Sequence, residues 1–317
     1  YIRIYQEQAK TKANGESALN QLATIFTNRR QYNRAAECLR ESIKRFPNNS
    51  KYREQRLEQI VGNIGVFEPR KNPFPAGQKP KLILKYRNAS SVTLSLRRLK
   101  LELFLKDLDE YLKSDPEKLD WGRLNFNNLG NLVVRNDMKK YLGESISEWV
   151  EKLQPAPKHF DREKELTIPE SKPGLYLVTA QFKDGNIARE TVWIADTAIV
   201  ARSGATNVYY VADAATGVPI NDAEIRFIGY RQEYLPRKKQ KFNRRYKLHY
   251  DSFFGGRTGG TGLLELPPDK FKRYYSYMAI ARTASGRLAL LPYSNWNNYR
   301  RYYNSGYSSY ALQDPGT

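Results

Sequence analysis

The chain has 317 residues, of which 53 are Lys or Arg and 33 are Asp or Glu, for a formal charge of +20. That length accommodates two or three domains with their own cores, and a composition 40% apolar and 13% aromatic excludes a disordered chain. No apolar run approaches the ~20 residues of a bilayer-spanning helix; a single cysteine, Cys38, excludes an intrachain disulfide framework and a Cys-rich zinc site, and two histidines, His159 and His249, leave little for histidine-dependent catalysis or metal binding.

Residues 1–66 read as helical. Leu19, Leu22, Ala23 and Phe26 follow helical spacing, as do Ala35, Leu39 and Ile43, and the short polar stretch Asn28-Arg29-Arg30-Gln31 between them predicts an antiparallel pair. Ala23 and Ala35 allow close backbone approach, while Pro47 stops the second helix because its ring cannot continue the hydrogen-bond ladder. Leu22-Ala23, Phe26, Tyr32, Ala35, Leu39 and Pro47 resemble a tetratricopeptide repeat, with Leu19 in place of the usual Trp and Ser42 in place of the usual Ala. One repeat cannot bury both faces, so Tyr1 to Thr11 reads as the last helix of a preceding repeat, and Tyr52, Leu57, Ile60, Val61 and Ile64 as a capping helix. The repeat reads either as a groove for a peptide or protein partner or as a structural cap. Cys38 reads as a small, partly buried residue, since no acid–base partner stands near it. A chain opening on Tyr1, without Met or signal peptide, reads as a fragment or processed product.

Residues 67–196 read as a β-sandwich. Gly65 to Lys81, rich in Pro and Gly, reads as a linker. Leu82–Arg87 and Val92–Arg97 flank the polar turn Asn88-Ala89-Ser90-Ser91 and predict a hairpin, the second run placing Val92, Leu94 and Leu96 on one face. Gly174–Ala180, the turn Asp184-Gly185 and Ile187–Ile194 predict another. Between these strands, about 101–153 reads as a partly helical insertion: Asp115-Pro116 looks like an N-cap with a first-turn proline, and Ile146, Trp149, Val150 and Leu153 recur at helical spacing. Asp107, Asp109 and Glu110 form a carboxylate cluster without the glycine-kinked loop of a cation site, and read as a solvated helix end.

Residues 197–294 read as a second sandwich, with strands at Val208–Ala212, Ala223–Phe227, Gly262–Leu266, Tyr275–Arg282 and Leu288–Pro292. Within it, residues 231–250 hold eight basic residues and one Glu, and read as a solvated loop or an electrostatic contact surface. Its candidate contact residues are Arg237, Lys238, Lys239, Lys241, Arg244 and Arg245. Tyr and Phe interleave with them, but no recognition helix or RNA-binding signature accompanies the segment, which argues against nucleic acid. Gly255 to Gly262 lacks the closing Gly-Lys-Ser/Thr of a phosphate loop and reads as a hairpin connection. Residues 295–317, dense in Tyr, Asn and Ser, read as a linker or tail.

Ala198–Ala201 followed by Val208 to Ile220 resembles a macroglobulin domain of the bacterial alpha-2-macroglobulin family: a strand, a D-x-x-T-G-x-P turn (Asp213, Thr216, Gly217, Pro219) and a second strand opening on small residues. Gly217 there supplies positive φ and Pro219 fixes the exit. Lys172-Pro173-Gly174-Leu175-Tyr176-Leu177-Val178 resembles the K-P-G-x-Y-x-V closing strand of the preceding macroglobulin domain, and Tyr86-Arg87-Asn88 its opening strands. The resemblance covers roughly Phe67 to Ser294. It departs from the family where Cys38 lacks the Gln of a thioester, where no bait segment or later macroglobulin domain is found, where Thr258-Gly259-Gly260-Thr261-Gly262 lacks the Asp of a T-D-x-x-G turn, and where the basic segment looks inserted.

The expected architecture is α+β multidomain, tetratricopeptide-like helical hairpins followed by two immunoglobulin- or fibronectin-like antiparallel sandwiches. No cofactor, metal or catalytic residue is expected, since neither a Gly-x-Ser-x-Gly elbow nor a His-Glu-x-x-His helix is present. What the resemblance implies is a scaffold within an envelope or extracellular protease trap, meeting proteases through bait and effector domains outside this chain and a membrane only through an outside anchor. The alternative is an interaction or adhesion module in which the repeat binds a protein and the basic Tyr-rich part an acidic polymer.

Overall fold

A computed structural model describes residues 1–69, 73–117, 120, 136–240 and 245–294. They fall into two compact units, the described residues of 1–100 and 127–194 in one and those of 101–126 and 195–317 in the other.

The first unit begins with helices α1 (Ile2–Ala9), α2 (Gly15–Asn28), α3 (Tyr32–Arg45) and α4 (Lys51–Val61). Leu19, Leu22, Ala23 and Phe26 of α2 bury against Ala35, Ala36 and Leu39 of α3, the faces that the apolar spacing marks. At the α2–α3 turn Arg30 adopts φ +57°, the left-handed position more often filled by glycine, and the Gln31 amide reaches back to the Phe26 carbonyl at 2.8 Å. Arg53 of α4 is only 2% exposed. Its guanidinium donates to Glu16, Ser42, the Phe46 carbonyl and, at 2.9 Å, the Asn48 carbonyl, so one cation ties three helices and a turn together.

Beyond the helices two antiparallel sheets share a core. The strands are β1 (Ile64–Phe67), β2 (Phe74–Pro75), β3 (Lys81–Arg87), β4 (Ser91–Leu99), β5 (Leu142–Lys152), β6 (Arg162–Thr167), β7 (Gly174–Gln181) and β8 (Ile187–Ala195). Their orders are β1-β3-β6 and β2-β8-β7-β4-β5. The β7–β8 hairpin forms where Asp184-Gly185 places it. The expected β3–β4 hairpin does not. The two strands lie in different sheets, β3 pairing with β1 and β6, and β4 with β5 and β7. Leu82, Leu84 and Tyr86 on one strand and Val92, Leu94 and Leu96 on the other are all buried in the core between the sheets, which requires the chain to cross from layer to layer rather than fold back in plane.

Two further expectations are corrected here. Gly65–Phe67 is strand rather than linker, and Gly65 lies so close beneath Phe182 that a Cβ there would fall 2.1 Å from the ring. Residues 142–152 are a strand rather than a helix. The pairing of β5 with β4 slips by one residue where Ser147 faces Leu96 and Ser145 faces Arg97, leaving Ile146 as the extra residue of a bulge. The bulge shifts the strand's phase, so that Ile146 and Trp149 both pack on the core and a three-residue interval imitates helical spacing.

The second unit contains α5 (Leu101–Lys113), β9 (Thr197–Arg202), β10 (Asn207–Asp213), β11 (Glu224–Tyr234), β12 (Tyr246–Arg257), β13 (Leu263–Leu266), β14 (Ser276–Arg282) and β15 (Leu288–Ser294). The sheets β13-β10-β9 and β12-β11-β14-β15 enclose a core rich in aromatic rings, where Phe227 meets Tyr209 edge-on at 5.1 Å and Phe271 at 5.0 Å between centroids. Asp115 and Pro116 follow the end of α5 instead of opening a helix, and the Asp115 carboxylate accepts the Leu248 amide at 2.9 Å. The basic segment is strand over Arg231–Tyr234 and Tyr246–Tyr250, where Arg231 faces His249 and Glu233 faces Lys247. Glu233 accepts from Arg231 at 3.3 Å and lies 2.6 Å from His249 Nε2, which lowers the like-charge repulsion that a bare sequence count implies.

Candidate functional site

The D-x-x-T-G-x-P turn is held by one carboxylate. Asp213 Oδ1 accepts the Ala215 amide at 3.1 Å and both the amide and the hydroxyl of Thr216 at 2.9 Å. Its other oxygen accepts from Arg287 at 2.7 Å. Arg287, first, and the Thr216 donors hold this carboxyl far below the usual carboxylate range. Gly217 takes φ +72°, as the turn demands, and Tyr210 donates to its carbonyl at 2.8 Å. The chain leaving the turn is fixed by Thr258, whose hydroxyl donates to the Ile220 carbonyl at 2.7 Å and accepts the Ala223 amide at 2.9 Å. Gly262 adopts φ +73° within the glycine run, which connects β12 to β13 and opens no helix.

The K-P-G-x-Y stretch is built similarly. Tyr176 is fully buried, with its hydroxyl donating to the Lys172 carbonyl at 3.0 Å, while Arg98 donates to the Pro173 carbonyl at 3.0 Å and lies 5.8 Å from the Tyr176 ring centre.

A third constellation joins helices to sandwich inside the first unit. Arg87 makes a two-pronged contact with Asp161 (2.8 and 3.1 Å), donates to the Gln59 carbonyl at 3.0 Å and lies 4.7 Å over Tyr32, whose ring meets Phe160 edge-on. The Asn88 amide donates to the Ile60 and Gly62 carbonyls at 2.9 and 2.8 Å, capping the end of α4. His159 Nδ1 lies 2.8 Å from Asn88 Oδ1; burial, then Arg40 and Arg87, push the imidazole pKa down, which favours the neutral ring with Nδ1–H donating. This joint holds the helices against the strands of the first unit.

Beneath α5 lies a groove of about 580 Å³ lined by Leu105, Ile228, Phe254 and Ile280 among others. The Glu102–Arg282 ion pair and the Asp109 contacts to Tyr250 and Lys113 border it. Asp109 is thus engaged by a phenol and an amine, and among the described residues no group of three or more His, Cys, Asp or Glu side chains could hold a metal ion. Cys38 is half-buried, and that burial first, then the charges of Glu41 and Glu37, push its thiol up to about 11, the setting of an unreactive thiol.

Of the six basic candidates, Arg237, Lys238 and Lys239 form an exposed 3-10 turn and Arg245 is exposed beside it; Lys241 and Arg244 lie outside the described residues, as does the tail 295–317. Periodicity gives no sign of Arg53, Arg87 or Arg287, because it registers apolar rows and these cations, Arg53 buried and the other two half-buried, pack against carbonyls and carboxylates. The one local signal was Asn88, a residue suited to positive φ (here +62°) in a polar turn.

No family model and no curated protein matches the chain. Among solved structures, it is similar to native alpha-2-macroglobulin from Escherichia coli spanning domains NIE-MG1, at 16% identity and a TM-score of 0.44, over 73% of this chain and 97% of that one. The same protein spanning MG0-NIE-MG1 matches at 15% identity and 0.46, over 73% of this chain and 64% of that one. A Salmonella alpha-2-macroglobulin mutant matches at 12% identity and 0.31, over 76% of this chain; the match spans 17% of that longer protein.

Proposed function

We propose that this chain is a non-catalytic scaffold segment of an alpha-2-macroglobulin-like protein, working in the cell envelope or outside the cell. The protein it belongs to acts as an endopeptidase inhibitor, through bait and effector regions outside this segment. One observation carries the reading: the residues that match the family turn, Asp213, Thr216, Gly217 and Pro219, have structural work to do, with the carboxylate closing the turn and binding Arg287. The joint at Arg87 and Asn88 fits the same role, since a scaffold transmits position only if its helical and sheet parts move as one piece. In this reading the helices are tetratricopeptide-like and serve as a cap or partner surface, and the two sandwiches are macroglobulin domains.

The test is to incubate the full-length protein carrying this segment with a broad-specificity protease, then assay a small peptide substrate and a large protein substrate. A trap leaves cleavage of the small substrate largely intact and suppresses that of the large one. Full activity on both substrates refutes the proposal.

A further inference from the structure

The basic hairpin of the second unit reaches past the sheet that carries it. β14 pairs with β11 only from Glu224 to Tyr230, whereas β12 continues to pair as far as Tyr234 opposite Tyr246. Arg231–Tyr234 and Tyr246–His249 therefore form a two-stranded ribbon extending four residues beyond the third strand, roughly 13 Å at the ordinary rise of a strand. Its described residues are tied together: the Leu235 amide donates to the Arg245 carbonyl at 3.0 Å, the Gln240 side chain donates to the Leu235 carbonyl at 2.8 Å, and Arg237–Lys239 form one 3-10 turn. It also has a braced base, where Leu248 is buried and its amide is held by Asp115 beyond α5.

The end of this ribbon is both cationic and amphipathic. Arg237, Lys238, Lys239, Arg245 and Lys247 are exposed and form no ion pair among the described residues. Glu233, the acidic side chain on the ribbon's two strands, is already engaged by Arg231 and His249. Beside the cations Tyr234 is 75% exposed and Pro236 is exposed, with Leu235 half-buried. Cations alone would suit any polyanion. A projecting Tyr and a Pro-Leu corner add the preference of aromatic and apolar groups for the headgroup level of a bilayer. The position agrees: the charges lie where the ribbon extends past its sheet, whereas single-stranded nucleic acid is held along a groove.

We propose that the tip of the β11–β12 hairpin docks this chain on an anionic lipid surface, with Arg237, Lys238, Lys239, Arg245 and Lys247 facing headgroup phosphates and Tyr234 entering the interface. This stands independently of the scaffold reading. Each cation within a Debye length of such a surface contributes about fivefold to binding.

The experiment is co-sedimentation of the whole 317-residue chain with vesicles of equal parts phosphatidylcholine and phosphatidylglycerol, and with vesicles of phosphatidylcholine alone. Binding is expected to the first and not the second, and to weaken with added salt. The variant Arg237→Gln, Lys238→Gln, Lys239→Gln should lose about a hundredfold, and Tyr234→Ser several-fold at unchanged charge. All four positions are exposed, so far-UV circular dichroism should match the native chain. No binding to the anionic vesicles overturns the proposal, as does binding unaffected by the triple change. Tyr234→Ser without effect, together with equal binding of the tip to a DNA duplex, overturns the lipid surface in favour of a general polyanion site.

Discussion

Replacing Thr258 by Val tests whether the turn region is held by buried hydrogen bonds or by packing alone. Thr258 is 3% exposed, and its hydroxyl bridges the Ile220 carbonyl and the Ala223 amide while its own backbone pairs with Ala223 and Asp222. Valine keeps the volume and β-branching but removes the hydroxyl, leaving a fully buried amide without its partner and a carbonyl short of one. Orphaning a buried donor costs about 1–3 kcal/mol and a lost ordinary hydrogen bond about 1 kcal/mol, so the expected destabilisation is about 2–4 kcal/mol. For a unit of this size that is a fall in midpoint of roughly 10 °C. Calorimetry on the whole chain, which can separate the transitions of its two units, measures it. Thr258→Ser is the control: it keeps both hydrogen bonds and loses one methyl, at about 1 kcal/mol. If valine costs no more than serine, the hydroxyl bridge does not hold this region.

Arg53→Met should destabilise the helical part by about 3 kcal/mol, because Glu16 and two carbonyls lose their shared donor; a urea titration followed by circular dichroism at the helical wavelengths would read it, and a change within error contradicts the assignment of Arg53 as the tie. Burial pushes the carboxyl of Glu190 up to about 7 from its ordinary 4.5. A raised carboxyl pKa means the fold prefers the protonated form, so stability is intact below about 4.5 and falls as pH rises through 7. The full shift corresponds to about 3 kcal/mol, and roughly half that after allowing for partial exposure; Glu190→Gln should therefore stabilise at pH 8 and do little at pH 4, which paired urea titrations would show. Gly217→Ala should cost about 1 kcal/mol through positive φ alone, since nothing lies within 4 Å of the added methyl, and Gly217→Asn should cost less; a larger loss for Asn than for Ala in thermal melts would contradict this.

The motif turn was legible before any coordinates because most of its requirements are local: Asp213, Thr216, Gly217 and Pro219 lie within seven residues, with Asp213 closing the turn, while Arg287 and Thr258 join from afar. Much of the candidate basic surface was legible as charge but not as form. A count of Lys and Arg cannot register that Arg231 faces His249 across a ladder, or that the ladder outruns β14 and makes a projecting ribbon.

The same division holds for the fold. Alternation and helical spacing record whether each side chain is buried, and that much the amino-acid order determined alone: paired helices first, then extended strands with turns at Asp184-Gly185 and Asp213–Pro219. Tertiary structure decided which backbone each strand would meet. It sent β3 and β4 into opposite sheets, turned Ile146 inward through a bulge, buried Arg53 among three helices and grouped α5 with strands more than eighty residues away. Hydrogen-bond ladders between distant segments make those choices, and a burial pattern is the same whichever partner supplies the ladder.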